Sequence, residues 1–255
     1  MRTEIAILAL TAALTTTVPA IADCRYEEPR EVSAAAAGVS SVRIDASSGS
    51  LDVIGGRGAT IKASGTACVS DRTYLGETTL TLRKEGGTLV IEARTAEARG
   101  GWFGSGYANL PFVVEVPSNL PIDIEDGSGP LTVKGVSSVS IRDGSGPIEV
   151  SDVTGDLRVR DGSGATLLER IGGTVRIVDG SGSIDVKGVG RDVIVEDDGS
   201  GSIDIRDVTG SVTIEDDGSG SIEVRSIGGD FTVRDDGSGG ISFKDVKGRV
   251  SIPRD

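Results

Sequence analysis

Apolar residues recur two apart through the second half of this chain, in short runs that always break at the same tetrapeptide. Val139 and Ile141 precede one break, and Ile148 and Val150 follow it. Val193 and Val195 with Ile203 and Ile205 frame a later break, and Val212 and Ile214 with Ile222 and Val224 the next. A two-residue period puts these side chains on one face of a strand. Their β-branched character suits strands and disfavours helices. The break is Asp-Gly-Ser-Gly, which starts at Asp126, Asp143, Asp161, Asp179, Asp198, Asp217 and Asp236. Subtracting successive positions gives steps of 17, 18, 18, 19, 19 and 19 residues. Internal repeats of this length point to stacked coils. Gly-Ser-Gly permits the backbone angles of a sharp corner. Val153-Thr154-Gly155 and Val208-Thr209-Gly210 mark a second corner, with room for a third short extended piece at Val153 or Val208. Equivalent residues then stack about 4.8 Å apart, and the inward Val and Ile ladders form the core. Such a thin aliphatic core fits an aromatic content of 3%. The predicted fold class is all-β, a single-chain β-solenoid with an irregular β cap at its N-terminal end.

The ends read differently. Residues 1–22 have the form of a secretory signal peptide: Arg2, an apolar stretch from Ile5 to Leu14, and a small-x-small cleavage site at Ala20-Ile21-Ala22. That stretch is too short to span a bilayer, and no later one is longer. Asp23, before Cys24, argues against lipid attachment. Residues 23–40 read as a loose lead-in, 41–116 as irregular wider coils or a capping sheet, and 117–255 as the regular array. Within 41–116, Ser48-Gly49-Ser50 looks like a degenerate corner. A cap is expected because a bare terminal coil exposes a pairing edge. At the other end Arg249, Pro253 and Arg254 interrupt strand addition. Cys24 and Cys68 are expected to form one disulfide in an oxidising compartment. The predicted location is therefore the periplasm or the cell surface.

The net charge of −13 argues against nucleic-acid binding and against anionic membrane surfaces. The sequence contains no His, so a corner Ser has no imidazole to act as its base. Phosphate-cradling Gly-x-Gly loops open helices, whereas these lie between strands.

At this level the chain resembles a bacterial family of exported β-strand-repeat proteins, known as a domain of unknown function and as putative adhesins. The resemblance rests on Val114-Glu115-Val116-Pro117, on Ile122-Asp123-Ile124 entering the first Gly-Ser-Gly corner, and on the reiterated Gly-x-Ile/Val-x-Val. It spans roughly residues 40 to 255. It implies a β-solenoid at the cell envelope and no catalytic residues, and hence a structural or adhesion role without enzymatic activity.

Four groups of residues are candidates for function. The corner aspartates stack into a ladder whose neighbours repel by about 1 kcal/mol in water. The expected relief is an Asx-type turn, in which each Asp accepts from amides of its own corner. The alternative is Ca²⁺ bound by Asp197, Asp198, Asp216, Asp217, Asp235 and Asp236. On the second strand, Glu149, Asp185, Asp204 and Glu223 run beside Lys187, Arg206, Arg225 and Lys244 as a solvated charge zipper. Leu167 and Glu169 interrupt it. On the first strand, Arg142, Arg158, Arg160 and Arg176 cluster on one face. They suit an anionic envelope glycan or phosphate group, or another envelope protein, unless Asp143 and Asp161 pair with them. Finally, Trp102, Phe103 and Tyr107 lie in a Gly-rich loop that suits sugar stacking or a plug for the wide end of the solenoid. A glycan-active β-helix enzyme is disfavoured because no acidic pair stands apart from the repeats, and charged outward columns disfavour ice binding.

Overall fold

The computed structural model describes residues 24–97 and 106–253. The leader segment, Trp102, Phe103 and Arg254 lie outside the described residues. The chain winds as a β-solenoid of about seven turns between two facing sheets. One sheet, here sheet B, holds the strands that enter the Asp-Gly-Ser-Gly corners, from Pro121–Asp126 through Ser138–Asp143, Leu157–Asp161, Val175–Asp179, Val193–Asp198 and Val212–Asp217 to Phe231–Asp236. The other, sheet A, holds the strands that leave them, from Leu131–Lys134 through Ile148–Val153, Thr166–Ile171, Ile184–Val189, Gly201–Val208 and Gly220–Ile227 to Gly239–Val246. Pairing within these runs is parallel and mostly in register: Ile141 lies beside Val159, Val159 beside Ile177, and Ile177 beside Val195.

The inward positions are fully dry. Val139, Leu157, Val175, Val193, Val212 and Phe231 form one buried column of sheet B, and Ile148, Ile184, Ile203 and Ile222 part of a facing column in sheet A. Each such side chain contributes roughly 1.5–3 kcal/mol on burial. The third extended piece contracts to a single inward apolar residue per coil, as at Val153, Ile171, Val189, Val208 and Ile227. The residue directly before it turns the chain. Asp152, Arg170, Asp207, Ser226 and Asp245 all adopt φ of 56 to 59°, in the left-handed region. Gly135 and Gly188 occupy the same place in other coils, with φ of 74°.

The uneven repeat length has a structural cause. The register of sheet B shifts between Ile177 and Val178, where the next strand carries the extra residue Glu196. This bulge lengthens the step from 18 to 19 residues, and the following coils keep the added residue without a further shift.

The early chain is woven into the array out of sequence order. The coil made by Ser41–Asp45 and Leu51–Gly56 lies between Pro121–Asp126 with Leu131–Lys134 on one side and Thr88–Arg94 with Phe112–Pro117 on the other. Its degenerate corner stacks on the first regular one through a Ser48–Ser128 bridge. Antiparallel strands then close this end. Thr60–Val69 pairs with Phe112–Pro117, Tyr26–Ala35 pairs with Thr60–Val69, and Thr79–Glu85 pairs with Thr88–Arg94.

Tyr26–Ala35 corrects the expectation of a loose lead-in. It is a ten-residue strand paired along its whole length. Glu27-Glu28-Pro29 and the small alanines hide its alternation, yet Val32 and Ala34 pack on the core. Pro29 is tolerated because this is an edge strand. The Arg30 guanidinium anchors it by donating to the carbonyls of Leu75 at 2.7 Å and Thr78 at 3.0 Å. The Cys24–Cys68 disulfide ties its start to Thr60–Val69. At the opposite end Val250–Ser251 adds to Phe231–Thr232 just before Pro253. Phe243, in an inward column, stays 46% exposed there, with its ring 6.0 Å from that of Phe231.

The second Gly of each corner is fixed by stacking. Gly201 has φ of 147°, and a Cβ added to it would lie 1.5 Å from the carbonyl oxygen of Gly182 one coil away. Gly201→Ala is therefore expected to lose roughly 2–4 kcal/mol in urea unfolding, from strain and backbone collision together. Ser226→Gly relieves a left-handed non-glycine residue and is expected to gain a few tenths to about 1 kcal/mol. Equal effects of the two changes would contradict this account of the corners. Breaking the disulfide, which spans 44 residues, should remove about 4 kcal/mol in the chain-entropy picture. Thermal melts of Cys24→Ser/Cys68→Ser check this, and an unchanged melting temperature would mean that hydrogen bonds alone hold the edge strand.

Candidate binding face and buried carboxylate column

The outward positions of sheet B gather the predicted arginines on three neighbouring coils. Arg142 lies beside Arg160, and Arg158 beside Arg176, in the parallel register. Neighbouring rungs are about 4.8 Å apart. The expected alternative partners, Asp143 and Asp161, are not their partners, because both carboxylates turn inward. Arg142 instead reaches Glu125 at 3.3 Å and Asp123 at 3.8 Å. Arg158 and Arg176 share one carboxylate, Glu196, at 3.3 and 3.5 Å. Among the described residues Arg160 has no ion-pair partner, although it is exposed. Beside the arginines runs an open groove of about 550 Å³, bordered by Asp123, Ser138, Ser140, Asp156, Arg158 and Arg176. Hydroxyls, acids and guanidinium groups thus line one surface.

The outward face of sheet A carries the predicted zipper. Arg206 bridges Asp185 at 3.0 Å and Asp204 at 3.2 Å. Arg225 bridges Asp204 at 2.9 Å and Glu223 at 3.4 Å. Each cation therefore joins an acid of its own coil to one of the coil before. Where Glu169 interrupts the pattern it pairs with Arg170, which also holds Asp152 of the preceding coil at 2.7 Å.

The corner aspartates form a third feature, and they face the interior. Asp126 and Asp143 are 7% exposed, Asp161 5%, Asp179 1%, and Asp198 and Asp217 are fully buried. The period-two pattern explains this direction: Asp143 continues Val139 and Ile141, and Asp161 continues Leu157 and Val159. The expected Asx-type bond closes fully in two corners. Ser163 N–H donates to Asp161 Oδ1, and Ser181 N–H to Asp179 Oδ1, both at 3.1 Å. Both carboxylate oxygens of Asp126, Asp143, Asp198 and Asp217 are buried without a partner among the described residues.

Burial accordingly pushes these carboxyls upward. Asp126, Asp143 and Asp179 rise to about 6 and Asp198 to about 7. Asp161 and Asp217 rise as well. Desolvation is the largest cause in each. The charge of neighbouring aspartates adds to it for Asp143, Asp179, Asp198 and Asp217, and the corner amides offset part of it.

The double aspartates are separated by the strand itself. Asp197, Asp216 and Asp235 are exposed, whereas Asp198 and Asp217 are buried and Asp236 is half-buried. Asp197 and Asp198 thus point to opposite sides of the wall and cannot ligate one Ca²⁺ together, nor can Asp216 with Asp217. Among the described residues no group of three or more acidic or cysteine side chains is arranged to hold a metal.

Tyr107 sits at the disulfide end. Its hydroxyl accepts from the Arg25 N–H at 3.1 Å, and its own N–H donates to Ser70 Oγ at 2.9 Å. Sequence reasoning missed Glu196 as the acid shared by two arginines, since only the bulge carries it to that face. It also missed the groove serines, which have no signature of their own.

No helix among the described residues is long and apolar enough to cross a membrane. No protein-family model matches the chain, and no curated protein matches it. Among solved structures it is similar to a "putative cell adhesion protein" from Clostridium sporogenes, at 10% identity and a TM-score of 0.36, over 88% of this chain and 99% of that one. It is similar to a "putative adhesin" from Bacteroides fragilis, at 12% identity and a TM-score of 0.35, over 90% and 98% of the two chains. A third such protein, from Parabacteroides merdae, has 9% identity and a TM-score of 0.33 over 90% and 97%.

Proposed function

We propose that this protein is an exported, non-enzymatic binding protein of the cell envelope that holds an anionic glycan on the arginine face of sheet B. The observation that carries this reading is the incomplete neutralisation of that face. In a chain of net charge −13, Arg160 has no acid partner among the described residues, and Arg158 and Arg176 divide one glutamate between them. By contrast, Arg206 and Arg225 of sheet A each bridge two acids. Guanidinium groups on successive rungs match the regular anions of a polymer and can bind them bidentately. The groove hydroxyls of Ser138 and Ser140 add hydrogen-bonding groups for sugar. The strands hold all of these in place before binding, so little ordering entropy opposes association. The Cys24–Cys68 disulfide supports an oxidising compartment, in keeping with the leader at residues 1–22. The absence of any His and the equivalence of the corner serines support a role without catalysis.

Arg158→Ser/Arg160→Ser should abolish retention on immobilised anionic glycans or envelope fragments while the far-ultraviolet circular dichroism stays unchanged. Lys187→Ser/Lys244→Ser, on the other face, should bind as the parent protein does. Retention should also weaken as salt rises past physiological strength, where exposed charges are screened beyond about 8–10 Å. Full retention by the arginine variant would place adhesion elsewhere on the molecule.

A further inference from the structure

We propose that the corner aspartates are a proton-binding column, in which a neutral carboxyl of one coil donates its O–H to the carboxylate of the next, and that this column makes the solenoid tighter in mild acid than in alkali. The geometry supplies the column. Asp126, Asp143, Asp161, Asp179, Asp198, Asp217 and Asp236 occupy one register position through six consecutive pairings. Six of the seven are at least nine-tenths buried. Fully ionised, the seven would set six like-charge contacts about 4.8 Å apart, in surroundings where each costs more than the ~1 kcal/mol it would cost in water.

Three ways of relieving that repulsion can be compared. The first is a cationic side chain. No lysine or arginine is among the principal influences on the six carboxyls that rise. In the same strands the charged neighbours of the column, Glu125, Arg142, Arg160, Asp197 and Asp216, are exposed on the opposite side of the sheet from the buried aspartates, and neither Arg142 nor Arg160 is among the causes that set Asp143 or Asp161. The facing inward column of sheet A is apolar except for Thr166, whose buried hydroxyl has no partner among the described residues. On the far side of Asp126 the column ends at Ala46, whose carbonyl takes the Gly127 N–H.

The second way is a bound cation. Calcium takes six to eight oxygen ligands. The Asp and Ser carbonyls of the corner are already engaged. The Asp carbonyls accept from the Gly of the next coil, as in Gly199 N–H to Asp179 O at 3.0 Å. The Ser carbonyls accept from the second Gly of the coil before, as in Gly182 N–H to Ser200 O at 2.9 Å. Two carboxylates per gap fall well short of that number, and among the described residues no group of three or more acidic or cysteine side chains is placed to hold a metal.

The third way is a proton, which needs only two oxygens. Asp217 lies directly beside Asp236 in the register, and both oxygens of Asp217 and Oδ1 of Asp236 are buried acceptors without a partner among the described residues. One proton per pair removes a charge, converts two unpartnered acceptors into a hydrogen bond, and leaves the backbone undisturbed. The raised affinities described above, set first by desolvation, follow from this arrangement. No other species is consumed: the proton comes from solvent and returns to it.

The sign of the effect is fixed by linkage. These carboxyls hold protons more tightly in the folded chain than in the unfolded one. Their stabilisation is complete below the unfolded value of 3.8 and is lost as pH rises through about 6 to 7. In isolation they therefore stabilise the fold in acid, the opposite of a carboxylate in a salt bridge. Asn keeps the shape, stays neutral, and can donate along the column.

The test compares the full chain with Asp179→Asn/Asp198→Asn/Asp217→Asn. The parent's melting temperature should fall between about pH 5 and about pH 8, and the triple variant should lose most of that dependence and exceed the parent at the higher pH. Infrared spectra in D₂O at neutral pH should show a protonated-carboxyl band in the folded parent that vanishes on unfolding. This second measurement needs no variant, so it decides the matter even if the variant fails to fold. Absence of the band, or a parent that is equally stable at both pH values while the variant is weakened, would overturn the proposal. So would a large rise in melting temperature with Ca²⁺ that EDTA reverses, since the column would then hold a metal in place of protons.

Discussion

Every feature of this molecule depends on the in-register hydrogen bonding of one coil to the next. Parallel pairing places each residue directly over its counterpart, as with Val139, Leu157 and Val175, or Asp143, Asp161 and Asp179. Any local property is then repeated along the axis, whether useful or harmful. Apolar positions become continuous dry ladders, which is why a core almost without aromatics suffices. Glycine positions become close-packed backbone columns that exclude even a methyl group. Charged positions become lines of like charge, each of which requires its own remedy.

Three remedies occur on three surfaces. On sheet A, acids and bases alternate between adjacent columns, and arginines span neighbouring coils. On sheet B, Arg158 and Arg176 share one acid, and the remedy we propose for that surface is an external anion. Inside the corner the carboxyls are buried and no lysine or arginine is among the causes that set them, and the remedy we propose there is neutralisation of the carboxyls themselves. The same stacking rule thus yields a structural zipper, a candidate binding face and a titrating interior, according to what each column has within reach.

Much of this could be read before the structure. The Asp-Gly-Ser-Gly period dictated the stacked coils, because a residue repeated at each turn must meet itself. The zipper followed from Asp204 and Arg206 being two apart on one strand face. The direction of the corner aspartates was also encoded, in the parity of Val139, Ile141 and Asp143, but their polarity masked it: a carboxylate is ordinarily placed in water. What could not be read depends on register between distant segments. The bulge at Glu196 changes which acid meets Arg158 and Arg176. The strand Tyr26–Ala35 has an alternation too weak to notice without Thr60–Val69 beside it.

The interleaving of the early chain bears on how the molecule assembles. Leu51–Gly56 is flanked by Phe112–Pro117 and Leu131–Lys134, so neither edge of the first coil is covered by the chain that immediately follows it. A polypeptide emerging from its N-terminus would carry an incomplete nucleus until more than half its length was available. Once that nucleus closes, each later coil needs only the coil before it, and every addition spans fewer than 20 residues by the repeat steps. Assembly thus divides into one slow, long-range closure and a rapid, directional growth of the remainder, with the newest coil always the least protected.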